Sequence, residues 1–465
     1  MLYLVSLLWI TANIYFLPFH VWTAGVIYPW FMTKGLTLYK DIIWLRMPFD
    51  MFLLSAWYRL FGASGSAYQL FIWVMFGLLV SIFLWVLKRI DRKIVYPACI
   101  FFLVFLFPLF LNVEVGELMV GLLVLLLFFL IHQYALTNRP VWALAAGICA
   151  GFTVATKQNT IFVVLILPFF QFYLYIRKQS MSRLMRSSFV YVFGLTVPFI
   201  LIGVYFFFRG ALYDFLYYSL YTVVGPYRNF TLLDHGDGLY IEFAYGILLL
   251  PCVFLWKQLG MQRKTAILLT LFVVALIPSL LPSYLSYRTF TSFALVSVAA
   301  GYLIRGLLHK KNTAWVRLSI VCGFIGYMTL VSRYMSAYNG FVRDNGFHRE
   351  QYLTDWGDFE KRMAVWINEN THKQDRIISY GSEMIYLLSD RLPANKYTNF
   401  TPFILEPFVE TTKVFTSNPP AAIVFDWAHP DLPRGLSTWP FLAYMRENYR
   451  EVMRMDALVL YSKNK

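Results

Sequence analysis

The residues of this chain best suited to chemistry are ionisable groups at the ends of apolar runs, where an unpaired charge is costly. They are Lys40 and Asp41, Glu114 and Glu117, Lys157, and Arg288. Glu114 and Glu117 lie three residues apart, on one face of a helix start. The helix dipole favours acids there, so one reading of the pair is a cap on the apolar run that follows. Lys157 closes a small-residue stretch, AAGICAGFTVAT, whose Ala and Gly allow close helix packing and turn the lysine toward the protein interior. Arg288 has Tyr284 and Tyr287 beside it. Read singly, each cation could snorkel to head groups. Together, and set against several carboxylates, they describe a charge-complementary cleft. A weaker cluster, Asp234, His235 and Asp237, offers oxygen and imidazole to a divalent cation. Its spacing fits no metal motif, and Asp beside Gly is mainly turn chemistry.

The elements that must position these groups are membrane spans. With 59% hydrophobic and 14% charged residues in 465, and a mean hydropathy of +0.58, the chain is too apolar for a soluble globule. The net charge of +15 lies in short loops between apolar runs, which points to topology and not to a nucleic-acid partner. Apolar runs at 2–18, 67–87, 95–111, 118–135, 141–156, 160–176, 189–208, 244–257, 265–283, 289–307 and 316–335 predict about eleven spans. The first reads as a retained span, with no basic leader or cleavage site. Cys99, Cys149, Cys252 and Cys322 all fall inside spans, without metal or disulfide spacing.

Alternate connections differ sharply in charge. One set carries Lys88, Arg89, Arg92, Lys93, Arg139, Arg177, Lys178, Arg183, Arg186, Lys257, Arg263, Lys264, Arg305, Lys310, Lys311 and Arg317, which makes it cytoplasmic. The opposite set holds Asp41, Asp50, Glu114, Glu117, Asp214, Asp234, Asp237 and Glu242, leaving Asp91 inside. The amino end is then inside and the carboxyl end outside. The fold class expected is a polytopic α-helical membrane protein, multi-pass in the plasma membrane, with a transmembrane domain over 1–335 and a small extracytoplasmic α/β domain over 336–465.

Two outer stretches stand apart from the spans. Residues 28–49, YPWFMTKGLTLYKDIIWLRMPF, are too polar to span and too aromatic for a free loop; Trp30, Phe31, Tyr39 and Trp44 suit the interface, so the stretch reads as an anchor or as the floor of a site. The tail alternates helix and strand patterns: a helix over 355–371, a strand over 376–380, a helix over 383–388, a strand over 421–425, a helix over 439–449 and a strand over 457–461. That alternation predicts a three-layer α/β domain. Asn229 and Asn399 begin glycosylation sequons. No phosphate-binding loop, dinucleotide fingerprint, zinc-protease motif or nucleophile elbow occurs, which removes support for ATP-driven or acyl-transfer chemistry.

Gly35 followed by Tyr39-Lys40-Asp41, then Pro48 and Leu60-Phe61-Gly62, resembles the first outer loop of the C-type-fold membrane glycosyltransferases. The resemblance is to the protein-mannosyltransferase and lipid A aminoarabinose transferase superfamily. Glu114 and Glu117, Gly147…Gly151…Thr156-Lys157-Gln158, Arg376–Gly381, Ile385-Tyr386 and Asp390-Arg391 continue it. The resemblance implies transfer of a hexosyl or pentosyl sugar from a polyprenyl-phosphate donor to a glycan, lipid or protein acceptor on the outer face. It implies that Asp41, Glu114 and Glu117 are the catalytic acids, and that Lys40, Lys157 and Arg288 hold the lipid phosphate. Residues 28–49 become the catalytic loop. In that family a further acid commonly precedes the loop glycine, whereas here residues 18–25 contain none and His20 is the alternative base. The implied partners are the donor, the acceptor and membrane lipids, with no nucleic acid; no cofactor is implied, and a divalent cation rests only on Asp234 and Asp237. The rival readings are a secondary transporter or flippase, and a catalytically silent relative in envelope assembly.

Overall fold

The computed structural model describes residues 2–16, 23–110, 114–177, 180–222, 259–277, 290–308, 358–398, 418–427 and 440–464, with isolated positions near 255, 320 and 415. Helices α1 to α10 are Leu2–Phe16, Thr23–Thr33, Phe49–Phe61, Gly65–Ile90, Val95–Phe110, Val115–Thr137, Pro140–Thr156, Ile166–Ile176, Met181–Phe208 and Leu212–Leu216. Later helices are Arg263–Leu276, Phe290–Leu308, Asp358–Asn370, Met384–Ser389 and Pro440–Asn448. Strands β1 to β4 are Ile377–Tyr380, Ala422–Asp426, Tyr449–Met455 and Leu458–Lys463.

The chain forms two compact units. The first comprises Met1–His20, Gln69–Tyr205 and Thr231–Tyr352. It is helical, and four of the described segments are long and apolar enough to cross a bilayer: Gly65–Ile90, Val115–Thr137, Gln158–Ile176 and Met181–Phe208. Leu2–Ala12, Pro140–Thr156 and Phe290–Gly306 are shorter apolar helices. The chain is an integral membrane protein. Most of the expected spans at 244–257 and 316–335 lies outside the described residues.

Helix α6 is the axis of this unit. It is apolar on every side, and 83% of its span is buried, because α7, Arg263–Leu276 and Phe290–Leu308 pack around it. Helix α9, with 28% of its span buried, turns most of its surface outward. Glycines bring α7 and α9 into backbone contact: a Cβ on Gly147 would collide with the Tyr191 carbonyl, one on Gly151 would lie 2.7 Å from the Leu195 carbonyl, and one on Gly194 would lie 2.5 Å from the Leu144 carbonyl. Polar ties add to this packing. His132 Nε2 and Thr265 Oγ1 are 3.2 Å apart, Lys264 Nζ donates to the Ala135 carbonyl at 2.7 Å, and Arg305 pairs with Asp91 at 2.6 Å.

The second unit comprises Val21–Tyr68, Phe206–Phe230 and Leu353–Lys465. The tail forms a mixed four-stranded sheet in the order β1-β2-β4-β3, with β1 and β2 parallel and the other pairs antiparallel. Helix Pro440–Asn448 lays Phe441, Leu442 and Met445 on Ile378, Tyr380, Ile423 and Phe425 of the sheet. The sequence reading leaves 450–456 without an element, but all of these except Asp456 belong to β3, an edge strand whose exposed positions include Arg450, Glu451 and Arg454. Edge strands often carry charges of this kind, and the charges hide the apolar alternation. The 28–49 stretch belongs to this unit too: Ile43 N donates to the Lys396 carbonyl at 3.0 Å, and α2 packs on Met384–Ser389.

Candidate active site

The geometry of Lys40 and Asp41 is set by Tyr39. After α2 the chain turns at Gly35 and closes a tight loop, with Tyr39 N donating to the Ile42 carbonyl at 2.6 Å and Asp41 N to the Thr37 carbonyl at 2.9 Å. Tyr39 takes φ +71°, an uncommon conformation for a bulky residue. It is held there because its ring is fully buried, edge-on to Phe206 (5.1 Å) and Phe215 (5.3 Å), and its hydroxyl donates to the Arg46 carbonyl at 2.5 Å. With Tyr39 turned inward, Lys40 and Asp41 are presented to solvent. Asp41 Oδ2 accepts from Thr37 N at 2.8 Å and so holds the turn; Oδ1 has no partner among the described residues. Lys40 Nζ donates to the Arg209 carbonyl at 3.2 Å.

Two buried carboxylates lie in the same unit, and neither was a candidate from the sequence. Asp50, at the first turn of α3, is 1% exposed, and its Oδ1 accepts from Met51 N at 2.9 Å. Burial, with the Asp50 charge second, pushes the Tyr39 phenol well above its ordinary value. Glu383, just before helix Met384–Ser389, is 5% exposed. Thr23 Oγ1 donates to its Oε2 at 3.3 Å, Tyr28 OH donates to its Oε1 at 3.5 Å, and Thr398 Oγ1 donates to Tyr28 OH at 2.9 Å. Burial pushes the Glu383 carboxyl up to about 7, against the lowering effect of those two donors. Only the flanking Ser382 and Met384 could have flagged Glu383 in the sequence, and neither signals burial. Nearby, Asp390 joins Lys34 (2.7 Å) to Lys373 (3.3 Å), and the Lys34 hydrogen bond holds its carboxyl below the usual range.

In the helical unit, Lys157 and Glu117 form a direct ion pair, Nζ to Oε1, with both side chains buried. Lys157 is the C-cap of α7 and faces the interior. Glu117 Oε2 is buried without a hydrogen-bond partner among the described residues. Glu114 is the N-cap of α6 and buried, without a side-chain capping hydrogen bond, and Glu117 lies in the first turn, where the helix dipole favours an acid. His20, Arg288, Asp234 and Asp237 lie outside the described residues. Among the described residues no group of three His, Cys, Asp or Glu side chains gathers for a metal.

No family model matches the chain, and no curated protein matches it. Solved structures do. ArnT from Cupriavidus metallidurans, bound to undecaprenyl phosphate, superposes with a TM-score of 0.58 at 13% identity, over 99% of this chain and 97% of ArnT. The Archaeoglobus fulgidus oligosaccharyltransferase in complex with Zn and sulfate gives 0.53 at 12% identity, over 100% of this chain and 73% of that one. The same enzyme tethered to an acceptor peptide with the NVT sequon gives 0.52 at 11% identity, over 100% and 74%. The fold is that of the C-type membrane glycosyltransferases.

Proposed function

We propose that this protein transfers a sugar from a polyprenyl-phosphate-linked donor to an acceptor on the outer face of the membrane. The observation that carries the reading is the fold shared, over nearly the full length of both chains, with an enzyme that binds undecaprenyl phosphate. The transmembrane domain, 1–335, would hold the donor, and the tail, 336–465, would meet the acceptor. The acceptor hydroxyl oxygen attacks the anomeric carbon, the carbon–oxygen bond to phosphate breaks, the hydroxyl proton passes to a carboxylate, and the phosphate leaves as an anion.

Asp41 is our choice for the base. Its Oδ2 is fixed by the turn, which orients the carboxylate and leaves Oδ1 for a substrate hydroxyl. Glu114 and Glu117 are the further acidic members, and the unpartnered Glu117 Oε2 supports such a role. Lys40, Lys157 and Arg288 are assigned to the lipid phosphate, and His20 is the alternative base. The sugar, hexose or pentose, and the acceptor, glycan, lipid or protein, are specificities of the outer loops and tail.

The test is transfer from a labelled polyprenyl-phosphate sugar by the purified protein in liposomes. Asp41→Asn should lower transfer by about a hundredfold or more, the usual contribution of a positioned base, while inserting normally. Transfer at the parental rate would remove Asp41 from that role. The absence of an acid over residues 18–25 favours a second reading, a silent relative in envelope assembly. It predicts retained lipid binding with no covalent product and an unchanged surface-glycan mass spectrum on deletion. Solute movement into liposomes without any product would instead mark a transporter.

A further inference from the structure

The helical unit has a cavity of about 570 Å³ lined by Leu2, Tyr3, Leu84, Lys88, Arg92 and Val95, with Tyr96 beside them. It lies at the basic ends of the spans, where the charge pattern puts the cytoplasm, and so at the end of α4 opposite the outer loops used above. Its volume is that of a small-ligand site. Its chemistry is divided. Leu84 and Val95 are buried and make an apolar floor, while Lys88 and Arg92 are exposed and basic.

Among the described residues no carboxylate lines the cavity. The nearest in sequence, Asp91, is already engaged: Oδ2 pairs with Arg305 at 2.6 Å and Oδ1 accepts from Lys93 N at 2.9 Å. Among the described residues neither Lys88 nor Arg92 has an ion-pair partner. Leu2 and Tyr3 of the fifteen-residue α1 close one side of this space. Tyr3 and Tyr96, 42% and 63% exposed, add the phenols favoured at a membrane interface. Two cations and an apolar floor are complementary to a molecule with an anionic phosphodiester head and acyl chains.

We propose that this cavity is a binding site for one anionic glycerophospholipid, whose phosphodiester lies between Lys88 and Arg92 and whose acyl chain runs along Leu84 and Val95. The site is independent of the proposed transfer reaction. Lipid would bind whether or not the protein is an enzyme.

The experiment is native mass spectrometry of the full chain released from detergent with phosphatidylglycerol, phosphatidylcholine or sn-glycerol 3-phosphate. The wild type should retain one phosphatidylglycerol in preference to phosphatidylcholine and should not retain glycerol phosphate. Lys88→Gln with Arg92→Gln should weaken that retention about tenfold or more, since each cation near an anionic lipid counts. Arg89→Gln with Lys93→Gln removes the same charge from residues outside the cavity and should leave retention intact. Equal loss in both double variants would overturn the site in favour of a diffuse basic surface, and equal retention in both would overturn it outright. Retention of glycerol phosphate comparable to the lipid would overturn the lipid assignment. If the Lys88/Arg92 variant fails to fold, the choice between the two phospholipids by the wild type decides: no preference for phosphatidylglycerol overturns the proposal.

Discussion

Burial as deep as that of Glu383 favours a protonated carboxyl, and this sets a direction for stability. The folded-state value is about 7 against 4.5 for the free side chain, so between those values the folded protein binds more protons than the unfolded one. The stabilisation is complete below about pH 4.5, declines as pH rises, and is gone above about pH 7. Glu383→Gln, which keeps the shape and removes the titration, should match the wild type at pH 4 and exceed it at pH 8, by up to about 3 kcal/mol. Melting curves at the two pH values check this; curves that shift in parallel would deny Glu383 the role. The Lys157–Glu117 pair makes the opposite kind of prediction. Either Lys157→Met or Glu117→Gln alone should destabilise by about 3–5 kcal/mol if it strands a buried charge, and the double variant should recover part of the loss, as read by thermal unfolding in detergent. At this scale the sequence showed that Lys157 faces inward, because Ala and Gly line its helix. It could not pair Lys157 with Glu117, which lies 40 residues away, and it missed Glu383 because burial of a tail carboxylate arises from α2, more than 350 residues earlier.

Helix contact, not helix propensity, decides which glycines matter. Gly147→Ala should lower the melting temperature and the yield of folded protein, because its Cβ would meet the backbone of α9. Gly203→Ala in α9 meets nothing within 4 Å and should be neutral or stabilising by up to about 1 kcal/mol. Equal effects of the two changes would refute close α7–α9 packing. The long apolar helices, the three tail helices and three of the strands were legible from apolar periodicity, although α9 begins eight residues before the expected span; α2, α3 and α10, in stretches read as loops, were not. Strand β3 was not, since on a charged sheet edge the pairing with β4 supplies the order that the side chains do not advertise. The turn at Tyr39 was equally hidden: a tyrosine at positive φ contradicts local preference, and it is held by Phe206 and Phe215 against its ring and by the hydroxyl bond to the Arg46 carbonyl.

For the whole molecule, charge asymmetry makes a prediction about sidedness. In a cysteine-depleted background, Arg89→Cys and Asn138→Cys should react with a membrane-impermeant thiol reagent only after cells are opened, and Lys373→Cys should react on intact cells. The reverse pattern would invert the assigned topology and remove the outer-face chemistry with it. Hydropathy alone was enough to establish a membrane protein, and the loop motifs pointed to the C-type fold that the superpositions show. Composition could not show that residues 28–49 share a compact unit with the tail, because that grouping depends on contacts distant in sequence. The segment Gln158–Ile176 is fitted to the bilayer by its winding. It is nineteen residues long, and its first eight, Gln158–Leu165, are wound as 3₁₀ helix. The steeper rise of that winding lengthens the segment by about 4 Å over a plain α-helix, to roughly 32 Å. The tighter coil therefore matches a short stretch of chain to the ordinary hydrocarbon thickness, and a thinner bilayer would have to be met by tilting it.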